Sequence, residues 1–128
     1  MFRFFRKKPS SDRDAVVEDF RRATAALKSA EPTVRMAVGI AINTLSTAFA
    51  YTFKSAEAFQ ATPYEQQIEY LKKLRSAEEG IVAKDKAAAL GFGLFKMWVG
   101  ALVAKDQELL TLIKPAIAQL SREGDLLG

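Results

Sequence analysis

The chain contains neither histidine nor cysteine. Without histidine there is no side chain that ordinarily titrates near neutral pH, no Ser-His triad and no imidazole ligand for a transition metal. Without cysteine there is no disulfide, no thiolate nucleophile and no sulfur metal site. The carboxylates do not fill this gap. They occur as Asp12/Asp14, Glu18/Asp19, Glu78/Glu79 and Asp106/Glu108. None of these pairs has the spacing of a calcium loop. A helical di-iron site calls for Glu-x-x-His, which this composition forbids. The segment "GFGLF" lacks both the preceding strand and the third glycine of a dinucleotide fingerprint. The expectation is a protein that is not an enzyme and that carries no cofactor and no metal.

Glycine and proline are sparse, at 7 and 4 residues. That is too few for a low-complexity chain. With 49% hydrophobic and 27% charged side chains in 128 residues, one domain can bury an adequate core unaided. Acidic residues are missing from the first eleven positions, where Arg3, Arg6, Lys7 and Lys8 sit among Phe2, Phe4 and Phe5. The net charge is +4. These four cations account for all of it, so the remaining chain is neutral. A nucleic-acid-binding domain spreads its basic residues over a face of the fold, and nucleic acid is therefore discounted as a partner. The opening also lacks the apolar run of a secretory signal. It reads as a flexible basic-aromatic arm over residues 1–11, ahead of a bundle domain over residues 12–128.

The remainder reads as five helical segments. Asp12 to Ala30 carries one apolar stripe, Val16, Phe20, Ala23 and Leu27, after a cap at Ser10 or Ser11. Pro32 ends that helix and starts another, expected from Thr33 to about Phe59. Thr62, Pro63 and Glu65 suit the start of a third helix, with Tyr64, Ile68, Leu71 and Leu74 inward and Gly80 as terminator. The fourth is expected from the Ile81–Asp85 region to Leu112. Pro115 should kink or restart the last one, which carries Leu109, Ile113, Ile117 and Leu120.

Segments 36–53 and 87–104 are uncharged apart from Lys96, and each is just long enough to cross a bilayer. Two architectures compete for them. An integral membrane hairpin agrees with the basic N-terminus and with small residues at close-packing intervals, Gly39, Asn43, Ser46 and Ala50 in one and Ala89, Gly93, Lys96 and Gly100 in the other. A bundle agrees with the polar content of the first segment and with the amphipathic helices that need something to pack on. Lys96 would cost about 2.5–3.5 kcal/mol at a bilayer centre. The reading adopted is all-α: a single-domain four- to five-helix bundle with two largely buried central helices and a flexible N-terminal arm.

Two candidate sites follow. Phe2, Arg3, Phe4, Phe5, Arg6, Lys7 and Lys8 suit an anionic membrane surface or a groove on a partner protein. Asn43, Phe92, Phe95, Lys96 and Trp98 form a possible ligand or interface cluster. Core packing is the ordinary role of such aromatics, a register-fixing amide that of Asn43, and a solvent-reaching cation that of Lys96. The functional expectation is a cytoplasmic helical interaction or scaffold protein that associates with itself, its arm peripheral at the inner face of a membrane. The alternatives are a carrier of an apolar or amphipathic ligand between the central helices, and the membrane hairpin.

Overall fold

The computed structural model describes the backbone of residues 2–125 and the side chains of residues 13–125. All regular elements among them are helices: α1 Phe2–Lys28, α2 Pro32–Phe53, α3 Ala56–Ala61, α4 Tyr64–Ile81, α5 Lys86–Ala104 and α6 Gln107–Asp125. The protein is an all-α bundle, with six helices among the described residues, one more than the sequence pattern implies. The backbone of residues 2–11, read from the sequence as an arm, is the leading part of α1. Their side chains lie outside the described residues.

The extra helix arises at Lys54. This residue adopts a positive φ of 75° and ends α2. Ser55 then accepts a hydrogen bond from the Ala58 amide at 3.0 Å and starts α3. The expected long helix to Phe59 is therefore two helices. A similar break separates α5 from α6. Lys105 takes a left-handed conformation, and the Asp106 carboxylate accepts from the Leu109 amide at 3.1 Å. Such a cap satisfies an amide that the new helix cannot satisfy internally. Pro115, expected to kink the last helix or start a fresh one, lies inside α6 on its exposed side.

Two apolar clusters build the core. One joins Phe20 and Leu27 of α1, Val38 and Ile42 of α2, Leu94 and Ala101 of α5, and Leu109, Ile113 and Leu120 of α6. The other joins Phe49, Phe59 and Leu74 to Phe95, Val99 and Leu102 of α5. α5 supplies both from two adjoining faces, which explains why it is apolar over most of its circumference. Lys96 is its one exception within residues 87–104, and its Nζ reaches Glu78 Oε1 of α4 at 2.5 Å.

α2 departs from the expected picture. It is buried on one side only, where glycines let the backbones meet. A Cβ at Gly39 would lie 2.1 Å from the Leu120 carbonyl oxygen and 2.6 Å from the Gly124 nitrogen of α6. A Cβ at Gly91 of α5 would lie 2.9 Å from Ala41 Cβ. Asn43 locks the α2–α6 register. Its amide donates to the Ser121 carbonyl at 3.0 Å and to Asp125 Oδ1 at 2.9 Å, and its oxygen accepts from the Ser121 hydroxyl. At the other end of the same contact, Arg35 donates to Glu123 at 2.6 Å and covers the Leu27 carbonyl at the close of α1 at 2.8 Å.

Candidate functional site

The outward side of α2 carries Thr33, Ala37, Ile40, Thr44, Thr47 and Tyr51 at alternating spacings of four and three, all at least partly exposed. Arg35 is the only charged residue in the helix, and it is turned toward Glu123. Tyr51 is 91% exposed and Ile40 41%. The Thr44 hydroxyl donates to the Ile40 carbonyl at 3.0 Å, and the nearby Thr52 hydroxyl donates to the Ala48 carbonyl at 2.9 Å. Hydroxyls engaged on their own helix in this way need no outside partner. The result is a flat uncharged stripe that no other helix covers among the described residues. Exposed Glu31 and Lys54 stand at its two ends.

On the side away from α2, a groove of about 500 Å3 runs between α1, α4 and α5. Val16, Leu71, Met97, Ala101, Ala104 and Leu109 give it an apolar floor. Gly100 lies in that floor, and a Cβ added there would meet nothing within 4 Å. The rim carries Arg13, Arg75, Lys96 and Asp106.

Arg13 donates to Asp106 at 2.7 Å and to Glu108 at 3.2 Å. The hydrogen bond to Asp106 raises the guanidinium above its ordinary value, and the same bond, followed by the Leu109 amide, holds the Asp106 carboxyl below its own. A depressed carboxylate contributes stability that is present above its unfolded pKa and is lost as pH falls through the folded one. Asp106→Asn keeps a good cap for α6 but loses the charge facing Arg13. The variant should therefore melt below the wild type at pH 7. That gap should close as pH falls below 3.8, the ordinary value for this carboxyl. Thermal midpoints across that range check this.

The cluster anticipated around Trp98 is not a cavity. Phe95 is buried in the core. Its ring lies 5.4 Å from that of Trp98, which in turn meets Phe49 edge-on at 5.3 Å. Phe92 is half-buried and Asn43 bonds α6. Of the five residues only Lys96 reaches the groove. α2 and α5 are in close contact at Ala41 and Gly91. Arg75, Gly100 and Met97 were not anticipated as site residues. Gly100 carried the one local signal, a glycine inside a helix with no turn to make. The basic-aromatic residues Phe2 to Lys8 lie outside the described side chains.

Both α2 and α5 are long and apolar enough to cross a membrane, with 28% of the apolar window of α2 buried within the fold and 44% of that of α5. Among the described residues no group of His, Cys, Asp or Glu is arranged to hold a metal ion. The chain shows no significant match to any protein-family model, curated protein or solved structure.

Proposed function

We propose that the protein is a non-enzymatic interaction module that pairs with a second copy of itself through the outward stripe of α2. The observation that carries this reading is the uncharged surface from Thr33 to Tyr51, exposed on a helix whose other side is fully engaged. The 4-3-4-3-4 spacing is the same read in either direction, so an antiparallel pair of α2 helices offers self-complementary packing. That orientation brings Glu31 of one copy toward Lys54 of the other and opposes the two helix dipoles. Lipid is a poorer match for a stripe half of whose members are threonine.

The leading turns of α1 form the second contact element. Their phenylalanines and cations suit an anionic membrane surface, where each basic residue contributes about 1 kcal/mol. Two copies presenting two such ends convert weak attachment into useful avidity. In this reading the protein works in the cytoplasm, at the inner face of a membrane.

Sedimentation velocity of the full chain should show a particle of twice the chain mass. The double substitution Ile40→Glu and Tyr51→Glu should give a monomer with unchanged helical content, since both side chains are exposed. Flotation with anionic vesicles should be lost when residues 1–8 are removed, while the dimer persists. A wild-type chain that stays monomeric at about 100 μM, well above the μM range of typical specific association, would overturn the self-pairing.

A further inference from the structure

We infer that the groove between α1, α4 and α5 binds a single-chain amphipathic anion, with its alkyl chain laid over Gly100 and its anionic head at Arg75. The inference is independent of the self-pairing, because no residue lining the groove belongs to α2.

Gly100 is the first argument. Glycine inside a helix is unfavourable relative to alanine because it orders a freer backbone. At Gly39 and Gly91 the exchange has an evident cause, since a neighbouring helix occupies the space a side chain would need, and Gly80, which also has open space around it, is exposed near the end of α4 and lines no part of the groove. At Gly100 nothing stands within 4 Å of the position a Cβ would take. The residue leaves a hollow in the floor of an apolar channel instead of admitting another helix. Met97 beside it is unbranched and can adjust to a chain of variable shape. The volume of about 500 Å3 falls within the range of roughly 300–1,000 Å3 that small-molecule sites occupy.

Charge selects the head. The rim has three cations against one carboxylate. Arg13 is already engaged by Asp106 and Glu108, and Lys96 by Glu78. Among the described residues Arg75 makes no ion pair, and it is exposed at the mouth. A guanidinium offers two parallel donors that match a carboxylate or phosphate. The same sign of charge argues against the chain's own leading segment as the occupant, since all of its charges are basic.

The test is calorimetry on the full chain with decanoate, dodecanoate, dodecyl phosphate and dodecyltrimethylammonium, each below its micelle concentration. Dodecanoate should bind at one site per chain, more tightly than decanoate by roughly fourfold per methylene. Gly100→Leu fills the hollow and adds a side chain into open space, so it should melt no lower than the wild type and bind at least tenfold more weakly. Arg75→Glu should weaken all three anionic probes at least tenfold and leave the fold unchanged. The tighter of the two anionic heads identifies a fatty acid or a phosphate monoester as the natural class. Absence of saturable binding by either anion would overturn the inference. So would binding that survives both substitutions, or equal binding of the cationic probe.

Discussion

Gly39→Ala is expected to unfold the protein or lower its melting temperature by more than ten degrees. The new methyl group would sit 2.1 Å from the Leu120 carbonyl oxygen and 2.9 Å from Gly124 Cα. Both obstacles are backbone, so no side chain can rotate away. Relief requires α2 and α6 to separate. That separation loosens Val38 and Ile42 against Ile113 and Leu120 in the larger cluster, and it pulls Asn43 from Ser121 and Arg35 from Glu123. Overpacking commonly costs about 1–3 kcal/mol. The loss of two side-chain locks adds to it, each worth about 1 kcal/mol or more. Since a domain of this kind is stable by only about 5–15 kcal/mol, the sum is a large share. Gly124→Ala should behave alike, because its Cβ would lie 2.5 Å from the Gly39 carbonyl carbon. Gly80→Ala is the control. It lies exposed in α4 with nothing within 4 Å, so it should gain up to about 1 kcal/mol from helix propensity alone. Denaturant titration of the three variants separates the steric effect from the conformational one.

Periodicity served well where a helix has one wet face. The α1 stripe places Phe20 and Leu27 in the core, and the α6 stripe places Leu109, Ile113 and Leu120 there, as their spacing implies. It failed where a helix has no charged face to mark its limits. The apolar pattern of α2 runs on without interruption past Lys54, and only Ser55, a residue with many other uses, signals the new start. Lys54 and Lys105 adopt positive φ without being glycine or asparagine, so the strongest punctuation mark for a turn is missing at both breaks. Pro115 starts no new helix, since α6 runs through it.

The inward stripe of α4 holds at Ile68, Leu71 and Leu74 but was misread at its start, for a reason that lies outside α4. Tyr64 is 63% exposed, whereas Gln67 is 4% exposed and donates to the carbonyls of Gln60 and Thr62. Those carbonyls end α3, whose existence was not apparent from the pattern. A polar residue was drawn inside by a need that another element created. Thr62 shows the same dependence. Its hydroxyl donates back to the Phe59 carbonyl at 2.7 Å and so closes α3 instead of opening α4. The groove was illegible for a further reason. Arg13, Arg75 and Gly100 lie on three helices, and only the packing of those helices brings them together.

Phe59→Ala is expected to cost about 3–5 kcal/mol, the range for removing a buried aromatic ring, and to melt α3 with it. Phe59 is fully buried. Its ring lies 4.8 Å from Phe53, 5.3 Å from Phe49 and 5.8 Å from Tyr70. α3 has only six residues, far below the length at which a helix persists without tertiary support. The ring is thus both the centre of the smaller cluster and the anchor of the helix that carries it. Once α3 loosens, Gln60 loses its bond to the Leu102 carbonyl at 2.9 Å, and Gln67 is left with buried donors facing a moving target. Phe59→Leu keeps most of the apolar volume and should lose much less. Tyr70 supplies a local readout. Burial pushes its phenol up to about 12 from an ordinary 10.0, and the chain has only two other tyrosines, Tyr51 and Tyr64. With both of those changed to phenylalanine, the absorbance of the Tyr70 phenolate can be followed alone. Adding Phe59→Ala should return its midpoint toward 10 by admitting water beside the ring. A midpoint that stays near 12 while stability falls would mean that the cluster closes over the lost ring and that α3 does not depend on it.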